Sequence, residues 1–303
     1  MQLSDLMYRP GLLQGQRILV TGGGTGLGKV MAEAFLMLGA RVYIVGRRGG
    51  VLQEAADELN KAHADVSGGY VSGLPLDIRS AEAIHEALDQ IWADGGALTG
   101  LINNAAGNFI SRTEDLSPRG FDAIANIVFR GTFYMTLDCG KRWIAEGAKA
   151  SVVSILTTWV WNGSPFTVPS AMSKSGINAM TQSLAVEWGG KGIRFNAIAP
   201  GPFPTEGMSA RLNPGQQRQA YSDMSSNPMN RVGEMSELAN LAVYLVAPGA
   251  EYVNGQTIAI DGAAYQAGGG NFSGLRSWDD ARWAEVTAMI RATNEKDRAQ
   301  RTA

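Results

Sequence analysis

Apolar positions along this chain fall into two alternating rhythms. Short unbroken runs such as Ile18-Leu19-Val20 and Val42-Tyr43-Ile44-Val45 predict strands buried on both faces. Between them, apolar residues recur at helical spacing. In order, the pattern predicts a strand over Arg17–Val20, a helix to about Leu38 stopped by Gly39, and a strand over Arg41–Val45. A helix over Leu52–His63, a strand ending at Leu74–Asp77, and a helix from the cap Ser80 to about Trp92 follow. Leu101-Ile102 is the fourth strand, and Gly120–Glu146 reads as one long helix weakened by Gly131 and Gly140. Next come a strand over Ser151–Ile155, a helix to about Trp188, a strand over Ile193–Ile198, a helix over Met235–Val246 and a strand over Thr257–Asp261. Ser277 with Asp280 resembles a capping box opening a last helix to about Asn294, with Trp278, Trp283, Val286 and Ile290 on an apolar side expected to dock on this chain or on a neighbouring subunit.

Strand–helix alternation of this kind implies an α/β fold: a Rossmann-like, doubly wound parallel sheet with helices on both faces. The chain shows no internal repeat, linker or composition break, so a single domain over residues 1–303 is expected.

Charge narrows the function. Twenty-six basic and 28 acidic residues give no electrostatic case for nucleic acid or an anionic membrane. No apolar run approaches the roughly 18 residues that span a bilayer. The N-terminal stretch lacks a signal-peptide pattern and Arg301-Thr302-Ala303 is no peroxisomal address, which makes the cytoplasm the default. Cys139 reads as a buried small hydrophobe, His63 and His85 as surface residues, and no metal cluster is visible.

The chemistry begins at Thr21-Gly22-Gly23-Gly24-Thr25-Gly26-Leu27-Gly28, between the first strand and first helix. A lone glycine run also marks ordinary turns. In this context, glycines let the backbone approach a pyrophosphate, and the helix N-terminus offers free N–H groups. Gly22, Gly24, Thr25, Gly26, Leu27 and Gly28 are therefore the expected dinucleotide cradle. Proteins that take NAD usually place an acid at the end of the second strand. Here Gly46-Arg47-Arg48 stands there, so Arg47 is expected to hold a 2′-phosphate and the cofactor to be NADPH. Asp77 is expected to accept a bond from the adenine amino group.

The glycine loop, Asn103-Asn104-Ala105-Ala106-Gly107, Lys174 and Pro200-Gly201-Pro202 together resemble the short-chain dehydrogenases/reductases over nearly the whole chain. Most members carry Tyr four residues before the lysine and Ser thirteen before that Tyr; this chain has Ser170 and Thr157. The departure points to a subgroup. Asn103 through Ile110, Val168-Pro169-Ser170-Ala171, Arg194-Phe195-Asn196, Arg211-Leu212 and the tail from Asn271 to Arg291 resemble 2,4-dienoyl-CoA reductases.

The resemblance implies NADPH-dependent reduction of a 2,4-dienoyl-CoA to a trans-3-enoyl-CoA in unsaturated fatty acid β-oxidation, by a homotetramer; the alternatives are a short-chain reductase acting on another conjugated enoyl thioester or carbonyl substrate, and a catalytically inactive NADP-binding relative. It assigns Lys174 to the nicotinamide ribose, and Pro200, Gly201 and Phe203, with Asn104, to the cofactor. Asn108 is assigned to the thioester oxygen with Ser170 beside it, and Arg79, Phe109 and Arg211 to the acyl-CoA. Pro202 to Asn230 corresponds to a substrate loop and residues 266–303 to a C-terminal extension. One member type has a catalytic Tyr where this chain has Trp159. An indole N–H donates a hydrogen bond but is no general acid. Trp159 is thus either a donor to an enolate oxygen with Asn108 or, like Trp161, an apolar wall of the acyl pocket.

Overall fold

The computed structural model describes residues 1–205, 227–268 and 272–301. Seven parallel strands form one sheet: β1 (Arg17–Thr21), β2 (Arg41–Gly46), β3 (Tyr70–Pro75), β4 (Gly100–Asn103), β5 (Ala150–Ile155), β6 (Ile193–Pro200) and β7 (Thr257–Ile260). Their spatial order is β3-β2-β1-β4-β5-β6-β7. The chain winds outward from β1 through β3, then returns to pair β4 against the other side of β1, with Leu19 opposite Tyr43 and Leu101. Such a reversal leaves a crevice at the carboxyl ends of β1 and β4.

Alternate strand residues feed two cores. Ile18, Val20, Val42 and Ile44 pack with Phe35 and Leu36 of α1 (Gly26–Met37), Leu52 and Leu59 of α2 (Gly49–Ser67), and Leu238 and Val243 of a later helix. Leu19, Tyr43, Leu101 and Val152 face the other way. They meet Ile84 and Leu88 of α3 (Ala81–Ala93), with Met135, Cys139 and Trp143 from the helix after β4. Because both faces are covered, the strands read as continuous apolar runs rather than alternating ones.

The expected helix over Gly120–Glu146 is α4 (Pro118–Ala125), a π-helical segment (Asn126–Gly131) and α5 (Thr132–Glu146), end to end. Gly131 serves contact rather than interruption, since a Cβ there would lie 2.7 Å from Ile78 Cγ1. After β5 comes a single turn, α6 (Trp159–Asn162), then α7 (Val168–Gly189). Met235–Val246 is α8, Ala264–Ala267 is the single turn α9, and Asp280–Arg301 is α10.

The end of the chain departs from expectation twice. Asp279, not Ser277, caps α10: its carboxylate accepts from Arg282 N–H at 2.8 Å, while Ser277 Oγ donates to the Gly274 carbonyl. The apolar side of α10 finds no full cover among the described residues, since Trp283 and Ile290 are 45% and 55% exposed. Cys139 is buried as expected, and desolvation pushes its thiol pKa far up. His85 is exposed, whereas His63 is half-buried against Glu33. No group of His, Cys, Asp and Glu able to hold a metal occurs among the described residues. Among them, no helix is long and apolar enough to cross a membrane.

Trp143 is fully buried and donates its indole N–H to the Leu98 carbonyl at 2.7 Å. Trp143→Ala should cost about 3–5 kcal/mol in chemical denaturation. A loss below about 1 kcal/mol would contradict its place in the second core.

Candidate active site

The switch point is tied shut beneath by one threonine and one asparagine. Thr21, at the end of β1, accepts on Oγ1 from the N–H groups of Asn104 and Ala105, each at 3.0 Å, and donates to the Ile102 carbonyl. Asn104 returns its amide N–H to the Thr21 carbonyl at 2.9 Å. The glycine loop is thereby fastened to the end of β4. Gly22 turns at φ +67, and a Cβ on Gly28 would sit 2.4 Å from the Gly22 carbonyl oxygen. Only glycine fits at 28. Thr25 precedes α1 without a side-chain capping bond, and the first turn of that helix holds no acid, so its N–H groups and positive dipole end face the cleft.

One lobe of the cleft, about 960 Å³, is lined by Gly22, Gly24, Thr25, Leu27, Arg47, Arg48, Asp77 and Asn104. Here the loop meets the two guanidinium-bearing residues after β2. Arg79 lies just outside this lining. It donates Nε to both Asp77 carboxylate oxygens at 2.9 Å and Nη2 to one at 2.5 Å. Those bonds, with the Arg47 charge nearby, hold the Asp77 carboxyl below its ordinary pKa.

A second lobe, about 1080 Å³, shares Thr25, Leu27, Asn104, Asn108 and Phe203 with the first, so the two are continuous. Pro200, Gly201, Gly26, Trp159, Ser170 and Lys174 line it. Ser170 and Lys174 stand one turn apart on α7, 3% and 5% exposed. Lys174 Nζ donates to the Ile155 carbonyl, the last of β5. Burial pulls its pKa down from 10.5 to about 8. Asn108 Oδ1 accepts from the Phe109 N–H at 2.9 Å, which turns the amide NH₂ away from its own backbone.

Sequence reasoning left out two lining groups. Thr157 Oγ1 is buried without a hydrogen-bond partner among the described residues, although its place where most members carry Ser was a usable signal. Asp261 accepts from the N–H groups of Ala263 and Tyr265 at 3.0 and 2.9 Å, which ties its carboxylate to that turn. Of the two tryptophans, Trp159 lines the lobe while Trp161 turns outward onto Tyr265. Phe109 packs sideways against the small core of Ile124, Val128 and Leu156 rather than lining either lobe. Arg211 and most of the expected substrate loop lie outside the described residues.

Comparison with known proteins decides the family. Residues 22–263 match the family model described as Enoyl-(Acyl carrier protein) reductase. The chain belongs to the short-chain dehydrogenases/reductases. An uncharacterized oxidoreductase of Caenorhabditis elegans is 42% identical over 95% of this chain and 92% of its own length. A probable 2,4-dienoyl-CoA reductase, (3E)-enoyl-CoA-producing, from the same organism is 40% identical over 97% of this chain and 95% of that protein. A crystal structure of a short chain dehydrogenase from Bacillus anthracis is 38% identical, covers 84% of this chain and 98% of its own, and has a TM-score of 0.76.

The chain is therefore an oxidoreductase of the dienoyl-CoA reductase-like type. Short-chain reductases bind nicotinamide cofactors, and the cradle closed by Gly28 fits a dinucleotide.

Burial of Lys174 gives a testable signature. An unfolded lysine keeps its proton to about pH 10.5, while the folded one releases it near 8. Below pH 8 the desolvated ammonium weakens the fold; between 8 and 10.5 that penalty is relieved as the proton leaves. Lys174→Met should thus equal or exceed the parent in stability at pH 7, by up to about 3 kcal/mol, and lose that lead as pH rises. Denaturant unfolding from pH 7 to 10.5 checks it, and a pH-independent difference would contradict it.

Proposed function

We propose that this chain transfers hydride from NADPH to a 2,4-dienoyl-CoA and yields the trans-3-enoyl-CoA, as a step in unsaturated fatty acid β-oxidation. The observation that carries the reading is the grouping of neutral donors beside Lys174: the Asn108 amide, the unpartnered Thr157 hydroxyl and Ser170 all line one lobe. Reduction of a ketone leaves an alkoxide that needs a proton at once. Reduction of a conjugated thioester leaves an extended enolate, which needs donors aimed at its oxygen and a proton on carbon afterwards. Neutral donors suit the second reaction.

NADPH supplies the hydride when bound in the first lobe, with Arg47 and Arg48 recognising its 2′-phosphate. In this reading Asp77 takes the adenine amino group and Lys174 holds the nicotinamide ribose. Asn108 and Thr157 then bind the thioester oxygen and strengthen their bonds as charge builds there. Lys174, its pKa lowered to about 8 by burial, is able to exchange a proton with solvent near neutral pH. Ser170, one turn above, completes the polar side, while Trp159 closes the apolar one.

NADPH should be consumed with 2,4-hexadienoyl-CoA and not with simple ketones. Asn108→Ala should lower turnover more than tenfold, on the order seen for loss of one oxyanion donor. Near-normal turnover in that variant would remove Asn108 from the mechanism. Trp159→Tyr separates donor from wall: higher activity means the phenol takes over the indole's bond, and a collapse of acyl-CoA binding means the indole shapes the pocket.

A further inference from the structure

The second lobe is closed on one side by two single helical turns from distant parts of the chain. α6 contributes Trp159 and α9 contributes Ala264 to its lining. Neither turn buries a residue of its own. α9 is preceded by a non-glycine residue in the left-handed region, Ala263 at φ 65, and α6 is followed by Gly163 at φ 71. Short turns of this kind have little to hold them in place.

Their outer sides meet in one contact. The Trp161 and Tyr265 rings stack with centroids 4.5 Å apart and planes 19° apart. Trp161 is two residues from the lining Trp159, and Tyr265 is next to the lining Ala264. Trp161 stays 42% exposed, so core burial does not account for its orientation. The α9 side is the better anchored, because the Asp261 carboxylate fixes the Tyr265 N–H. The Tyr265 hydroxyl makes no hydrogen bond among the described residues, so the ring face carries the contact.

We propose that the Trp161–Tyr265 stack is a clasp that joins α6 to α9, holds Trp159 and Ala264 as one wall, and so sets how tightly and at what length the acyl chain is gripped. Tyr265 and Trp161 are positioning residues that act through Trp159. The kinetic part rests on the reading of this lobe as the acyl-thioester site. The clasp itself does not.

Hydrogen exchange of the ligand-free protein tests the clasp without any substrate. Tyr265→Ala should speed exchange over 159–163 and 264–268, and Tyr265→Phe should not, since it keeps the ring. Trp161→Ala should repeat the alanine result, and the double variant should add little beyond either single one. In kinetics with short, medium and long dienoyl-CoA chains, Tyr265→Ala should raise KM by about tenfold, leave kcat within about threefold and flatten the chain-length preference. Tyr265→Phe should restore all three, and NADPH affinity should stay unchanged throughout. Unaltered exchange in Tyr265→Ala overturns the clasp. Faster exchange with unaltered KM and chain-length profile overturns the wall. A parent protein inactive on every dienoyl-CoA, with the exchange response intact, sinks the proposed substrate and leaves the clasp supported.

Discussion

An amine carried into the interior must find a partner, and here it finds a single carbonyl. Lys174 Nζ donates to the Ile155 carbonyl at the end of β5, one residue beyond the last β4 pairing at Ser154. That bond gives the carbonyl its partner and seats α7 against the sheet end. Ser170 follows one turn away, and Thr157 and Trp159 follow in the loop that leaves the same strand. The second lobe is thus built outward from one buried lysine. Desolvation lowers the amine's pKa to about 8, and on the proposed function the same burial that organises the wall prepares the chemistry.

The dinucleotide end obeys a similar economy. Thr21 and Asn104 use their polar groups to bind β1 to β4, which leaves the glycine loop a single course over the sheet edge. The absence of a Cβ at Gly28 lets α1 start close beneath that loop. Backbone N–H groups, rather than side chains, therefore face the first lobe, and the residues after β2 are free to supply its positive charge. Arg79 belongs to this end: it clamps Asp77 and so orients the acid rather than standing over the second lobe. The two lobes are continuous through Asn104, Asn108 and Phe203, so on the proposed function a cofactor in one lies within reach of a substrate in the other.

Much of this was legible beforehand because a doubly covered parallel sheet writes its strands as plain apolar runs. The Ser170–Lys174 spacing and the strand–glycine–helix context carried their meaning locally, and both landed in the cleft. Features that depend on distant partners were not legible. Trp159 and Trp161 look alike in sequence, and only Tyr265, on a turn after β7, draws one outward and leaves the other inward. At the last helix, Ser277 and Asp279 are both good caps, and backbone geometry favoured the acid. The π segment over Asn126–Gly131 has no signature in apolar spacing, since it keeps Gly131 close under Ile78, a contact fixed by tertiary packing. Thr157 was visible but its unpartnered hydroxyl was not, because orphaning is a property of the folded cavity.

The central claim is that this lobe stabilises an extended enolate rather than an alkoxide. The most direct test traces the hydride with deuterated NADPH and 2,4-hexadienoyl-CoA, locating the label by NMR. The account predicts deuterium at carbon 5, a solvent-derived proton at carbon 2 and a 3-enoyl product. Deuterium at carbon 3, or label in the alcohol of a simple ketone at a comparable rate, would contradict it.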